Sequence, residues 1–196
     1  MQLRRDRRVT RVASRPAAIR ARGWVARALL ACALTPGAIS AQVTPKSQLG
    51  SVSQMVAATR IEIIYRRPVA RGRTLFGSLV PWGNIWTPGA DSATRISVSG
   101  PITVNGARLE AGTYSLWAIP DSIAWTFIFN RVAAAFHLRY PVGNDVLRVH
   151  AIPRSAEPVE TLSFEFPMVD ADSALLQLHW GTTIVPLTIH ALGRAP

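Results

Sequence analysis

The sequence predicts an all-β fold: an antiparallel β-sandwich of about nine strands with one long structured loop (67–93), preceded by a leader over residues 1–41. Three observations carry that reading. Short apolar or alternating runs recur along residues 42–196, each bounded by turn residues, as half-buried strands require. Sustained apolar periodicity of 3.6 residues with caps is missing from the same region, where Val132 to Leu138 is the one short stretch that admits a helical turn. Asn105-Gly106, set between Thr103-Val104 and Ala107-Arg108, suits a type I′ hairpin because both residues tolerate positive φ.

Taken in order, Pro45 to Gln54 is a polar lead-in and the expected strands are Arg60 to Arg66, Thr94 to Ser99, Ile102 to Val104, Thr113 to Ile119, Trp125 to Phe129, Val146 to Ile152, Glu160 to Phe166, Ala174 to Trp180 and Thr183 to His190. A second hairpin is expected across Trp180-Gly181-Thr182. In Thr113 to Ile119, alternation puts Tyr114, Leu116 and Ala118 on one face and Ser115, Trp117 and Ile119 on the other. Both faces are largely apolar, as in a central strand, so Trp117 and Trp125 are expected to be core residues.

The net charge of +11 is not evenly spread. Residues 1–41 hold nine arginines against one acid, Asp6, while residues 42–196 hold thirteen Lys/Arg against ten Asp/Glu, a balance of only +3. Nucleic-acid binding draws its affinity from basic residues clustered on a folded surface, and residues 42–196 lack that excess, so no nucleic-acid partner is expected. The basic segment instead has the order of a secretory signal: an arginine-rich start, an apolar stretch from Trp24 to Leu34, and small residues at Ala38, Ser40 and Ala41. Cleavage near Ser40 or Ala41 would release a single domain over 42–196, secreted or periplasmic, with no membrane span. Arg7-Arg8 leaves a twin-arginine route open beside the general one. The only cysteine, Cys32, lies in this leader, in a string that loosely resembles a lipoprotein cleavage site. Little apolar length precedes it, so a lipid anchor there is not favoured. A domain without cysteine has no disulfide, thiol nucleophile or cysteine metal site, and rests on an apolar core.

Arg67 to Ala93 breaks the strand rhythm. It is rich in Gly and Pro, yet carries Leu75, Phe76, Leu79, Val80, Trp82, Ile85 and Trp86. A loop that long is usually functional or packed on itself, and so much apolar surface should fold back onto the core.

The run Tyr65-x-Arg67-Pro68, Gly72-Arg73-x-x-Phe76-Gly77-x-Leu79-Val80-Pro81-Trp82-Gly83-x-x-Trp86 and Gly89-Ala90-x-x-Ala93-Thr94 resembles the bacterial domain of unknown function 2911 family. So do Ala111-Gly112-Thr113-Tyr114-Ser115-Leu116-Trp117-Ala118-Ile119-Pro120, Trp125-Thr126-x-Ile128-Phe129-Asn130 and Asp145-Val146-Leu147-Arg148-Val149. The resemblance covers about residues 45–190 and implies an exported all-β domain with no established activity. Where members commonly read Trp-Arg-Thr-Gly-Ala-Asn, this chain has Trp86-Thr87-Pro88-Gly89-Ala90-Asp91, losing a basic group and turning an amide into an acid. Val132 to Val142 also departs from the pattern.

The candidate ligand-binding set is Tyr65, Arg67, Arg73, Trp82, Trp86 and Asp91, grouped around the long loop. Arginine pairs bidentately with carboxylate or phosphate, and tryptophan offers a flat face to sugars or cations, so the set suits a small anionic or carbohydrate ligand. The competing expectation is structural: Arg73 pairs with Asp91 to pin the loop, and Trp82 and Trp86 fill the core beneath it. His137, His150, His179 and His190 lack the tight spacing of helical zinc sites, although strands could gather the last three. Asp91, Glu110, Asp121 and Asp145 do not fix the separation a carboxylate pair needs, and no Gly-x-Ser-x-Gly elbow occurs. The leading reading is therefore a non-enzymatic binding module with no metal or other cofactor. A small extracytoplasmic hydrolase, with a carboxylate or histidine as base in an open cleft, stands as the alternative. A structural cell-envelope module, with a long unpaired edge strand or a broad apolar patch for a partner, is a third.

Overall fold

The computed structural model describes residues 46–193, so the leader, its cleavage site and Cys32 lie outside the described residues. Ten strands are present among them: β1 (Gln48–Val56), β2 (Thr59–Arg67), β3 (Thr94–Val98), β4 (Ile102–Val104), β5 (Ala107–Leu109), β6 (Gly112–Ile119), β7 (Trp125–Asn130), β8 (Asp145–Ala151), β9 (Arg154–Val169) and β10 (Ser173–Ala191). They form two antiparallel sheets, one ordered β1-β2-β3-β6-β7-β8 and the other β5-β4-β10-β9. This is the expected all-β sandwich. None of the described residues is helical, and Val132 to Leu138 forms turns and a single bridge, Ser92 to Phe136.

The core lies between the sheets and follows from alternation. In β2, Ile61, Ile63 and Tyr65 point inward, and Arg60, Glu62, Ile64 and Arg66 take the other face. Leu116 and Ala118 of β6 and Phe127 and Phe129 of β7 meet Leu176, Leu178, Trp180, Leu187 and Ile189 of β10 in one buried cluster. Each such large apolar side chain contributes about 1.5–3 kcal/mol by leaving water. Trp117 points away from this core, yet is buried. With Ala93 and Ile128 it forms a second, smaller cluster on the outer face, covered by Ala135 and Tyr140 of the 131–144 segment. Both Trp117 and Trp125 are thus core residues, as the two apolar faces predicted.

Two expectations are corrected. Residues 48–54 of the presumed lead-in belong to β1, which pairs with β2 along its whole length. Only Val56 of this edge strand is fully buried, so the segment has no need of an apolar stripe. The second correction concerns Trp180-Gly181-Thr182, which is not a hairpin but an irregular stretch inside the continuous strand β10, opposite the bulged part of β9. Buried residues fall at even positions up to Trp180 and at odd positions from Val185. The ladder to β9 shifts register between His179 and Gly181 and again between Gly181 and Thr183, and Gly181 adopts φ 58. A break that reverses which side faces in looks, in sequence, like the end of one strand and the start of another. The turn into β10 is instead at Asp170 to Ser173, closed by Asp170 N–H to Ser173 O at 2.8 Å.

The first hairpin is as expected, with Asn105 at φ 47 and Gly106 at φ 83. Its Asn105 side chain also joins the sheets, accepting from Thr188 N–H of β10 at 2.8 Å and donating to His150 O of β8 at 2.7 Å.

Candidate functional site

The 68–93 loop is held at three places. Its start extends β2 onto the edge of β9, through Ala70 N–H to Glu160 O at 2.7 Å and Leu162 N–H to Pro68 O at 3.0 Å. Its middle closes a tight turn, with Val80 N–H donating to Leu75 O at 2.8 Å and Gly77 N–H to Val80 O at 2.9 Å. Its end adds to the larger sheet: Trp86 and Ala118 exchange both backbone hydrogen bonds, at 2.8 and 2.7 Å. Trp86 thereby occupies the row that β3 leaves after Thr94 pairs with Leu116. Buried Thr87 fixes this end, its hydroxyl donating to Leu116 O at 2.9 Å and accepting from Thr94 N–H at 3.0 Å.

These anchors bring the loop's apolar residues down onto the core, as their number predicted. Leu75 and Val80 are buried. Phe76 becomes the hub of an aromatic cluster, its ring centroid 4.8 Å from Trp125, 6.0 Å from Trp82, 6.1 Å from Trp180 and 6.2 Å from Trp86. Trp86 stacks on Trp180 at 6.0 Å and 13°. The indole nitrogen of Trp125, fully buried here, has no hydrogen-bond partner.

Between loop and sheet lies a cleft of about 650 Å³, lined chiefly by Arg73, Thr74, Phe76, Trp82, Glu160 and Trp180, and floored by the irregular Gly181 to Thr183 stretch. Trp82 stands at its rim, 46 % exposed. Arg73 donates from Nε to Ala70 O and from Nη2 to Val69 O, both at 2.8 Å. The Glu160 carboxylate accepts from Arg71 N–H at 2.6 Å, and its backbone carbonyl accepts from Trp180 Nε1 at 3.1 Å.

Of the six candidate residues, Arg73 and Trp82 line this cleft, and Trp86 lies behind it, against Trp180. The other three are elsewhere. The Tyr65 hydroxyl accepts from Phe164 N–H at 3.0 Å, and Arg67 donates from Nε to Leu162 O at 3.1 Å, so both tie β2 to β9 across the sheets. Asp91 is exposed at φ 63 and makes no side-chain hydrogen bond or ion pair; the expected Arg73–Asp91 pair does not form, because Arg73 turns to the carbonyls of its own loop. The sequence reading missed Glu160, Trp180 and the bulge. The interrupted alternation at Gly181 was the available signal.

A family model described as a protein of unknown function (DUF2911) matches residues 47–189. The chain belongs to the DUF2911 family. The match takes in both sheets and the loop, so the cleft of this DUF2911 domain falls wholly inside the family region. No curated protein and no solved structure matches the chain.

A second polar cluster, around Asp145, is satisfied internally. Asp145 accepts from Asn130 Nδ2 at 2.9 Å, from the Tyr140 hydroxyl, and from Arg148 at 2.7 and 2.9 Å. Burial raises its pKa, but the hydrogen bonds from Tyr140, Arg148 and Asn130 outweigh that and hold the carboxyl below its ordinary range. The Tyr140 hydroxyl moves up, through burial, then its hydrogen bond to Asp145 and the charge of that carboxylate. This network pins the segment that covers Trp117. Among the described residues no three His, Cys, Asp or Glu side chains are grouped to hold a metal ion, and no helix is long and apolar enough to cross a membrane.

Proposed function

We propose that the chain is an exported, non-enzymatic binding module that takes a neutral carbohydrate in the cleft between the 68–93 loop and the β9/β10 bulge. Trp82 carries this reading. A large aromatic face left 46 % exposed at the rim of a concave, aromatic-lined cleft is costly in water and suited to stacking on a sugar ring. Arg73, Glu160 and Thr74 beside it supply both donors and acceptors, which hydroxyls need in pairs. An anionic ligand is less well served: the Glu160 carboxylate shares the cleft, and two of the Arg73 donors are committed to backbone carbonyls. The arginine-rich leader sequence supports export.

For a hydrolase, the base would need a second polar group within reach. Glu160 is the one acid among the described residues lining the cleft, no histidine lines it, and its carboxylate is occupied by Arg71 N–H. Of the edge strands, β9 carries Pro158 and Pro167 with Glu157, Glu160 and Glu165, the usual defences, whereas β1 carries neither proline nor charge, so an envelope role through pairing of β1 stands as the second reading.

The test is a titration of purified residues 42–196 with a panel of neutral and acidic oligosaccharides, followed by tryptophan fluorescence and calorimetry. A neutral glycan is expected to bind, and Trp82→Ala to weaken it about thirtyfold, as loss of roughly 2 kcal/mol from an aromatic anchor implies. A panel without a single ligand, or a ligand indifferent to Trp82→Ala, refutes the proposal.

A further inference from the structure

A second concave surface, away from the Trp82 cleft, lies on the outer face of the larger sheet. It is a groove of about 320 Å³ whose walls include Leu49 of β1, Ile64 and Arg66 of β2, Arg95 of β3, and the backbone run Ala133 to Ala135. Ala93 N–H donates to Ala135 O at 3.0 Å, which fixes that run beside the sheet.

Arg66 has an unusual position. Two arginines among the described residues are half-buried, Arg66 and Arg67. Arg67 faces inward and donates to Leu162 O, whereas the Arg66 side chain makes no hydrogen bond or ion pair. A half-buried guanidinium without a protein partner keeps its planar fork of donors free for an anion. Arg95 also lacks a side-chain partner. Glu62, the nearest acid along β2 on the same face, is taken by Arg60 at 3.2 Å.

The sheet register places the two cations together. Ile64 is directly opposite Arg95, so Arg66, two residues on, is its diagonal neighbour. Such residues lie roughly 7–8 Å apart, a distance two long arginine side chains bridge around one carboxylate. Beside them the wall is apolar: Leu49, 62 % exposed, is opposite Arg66 in the ladder, and Ile64 and the alanines continue the surface.

We propose that Arg66 and Arg95 form an anion site for a small organic carboxylate, its charged end between the two guanidinium groups and its apolar body against Leu49, Ile64 and Ala133 to Ala135. Sodium benzoate is the probe, titrated into ¹⁵N-labelled protein with sodium chloride at matched ionic strength as one control and benzyl alcohol as the other. Saturable shifts are expected at the amides of Arg95 and Ala133 to Ala135 with benzoate alone. Arg95→Gln and Arg66→Gln are each expected to weaken binding tenfold or more, as loss of a charge-assisted contact implies, with the rest of the spectrum unchanged. Arg95 is exposed, so its variant decides the matter even if Arg66→Gln disturbs the fold. No saturable shift, equal shifts with chloride or benzyl alcohol, or undiminished binding to Arg95→Gln overturns the proposal. Trp82→Ala leaves benzoate binding intact, which separates this site from the carbohydrate cleft.

Discussion

Gly77→Ala distinguishes the platform role of Trp82 from a general contribution to the fold. Gly77 sits at φ 82 in the tight turn of the loop, and a Cβ there would stand 2.4 Å from Trp82 Nε1 and 3.0 Å from its Cδ1. The substitution therefore has two separate effects. The left-handed backbone costs an alanine about 1–2 kcal/mol. The clash is relieved more easily, because Trp82 is nearly half exposed and can turn out of the rim, giving up its contact with Phe76 at 6.0 Å.

Gly106→Ala is the matched control. Gly106 has φ 83, and a Cβ there meets nothing within 4 Å. It incurs the same backbone cost without touching the loop. Both variants should lower the melting temperature by about 2–8 °C, from roughly 2–4 °C per kcal/mol for a domain of this size. In calorimetry against whichever glycan binds the wild type, Gly77→Ala should behave as Trp82→Ala does, about thirtyfold weaker, while Gly106→Ala binds as wild type. Equal affinity of the two variants, with both folded, would show that Trp82 is not placed by Gly77 or does not hold the ligand.

Tyr65→Phe leaves Phe164 N–H buried without its acceptor and should cost about 1–3 kcal/mol in chemical denaturation, with glycan affinity unchanged. Thr87→Val keeps the shape of a buried side chain but strands Thr94 N–H and Leu116 O, and a similar loss is expected from the same measurement. Asp145 has a folded-state pKa below its unfolded one, so its contribution is present above the ordinary carboxylate range and is lost as pH falls through the depressed folded value. Asp145→Asn should accordingly lower stability near neutrality and flatten its decline in acid, read from melting temperatures across pH.

The central strands were legible because burial imposes a pattern on them. β2, β3, β6 and β7 each alternate or run apolar, and Asn105-Gly106 announces its own turn chemistry. β1 was not legible: an edge strand solvated along most of its length accepts Ser and Gln and leaves no stripe to read. Arg73 and Trp82 were recognisable by residue type. Tyr65 and Arg67 share those types and serve as ties between the sheets, since only three-dimensional placement decides whether an arginine fork meets a ligand or the carbonyl of Leu162. Glu160 and Trp180 lie 67 and 87 residues beyond Ala93, the end of the loop they complete. Local pattern has no means of joining them to it.

The place where sequence reading failed is the place where the cleft lies. A regular β10 would keep one parity inward and continue its ladder to β9 without a gap. Across Gly181 the parity reverses instead, and the bulged β9 runs out of register with β10 under the loop, where Leu75 packs so closely that a Cβ on Gly181 would lie 2.7 Å from its Cδ1. The disrupted ladder opens the floor of the cleft, and the loop supplies its rim. Bulges cost regular pairing, and they persist next to sites because they redirect side chains that a regular sheet would bury or splay. Trp180 is the case in point: as the last residue of the even series it is buried against Trp86 and still lines the cleft. The break in alternation that resembled a chain reversal is therefore the device that turns one edge of an otherwise closed sandwich into a concave surface.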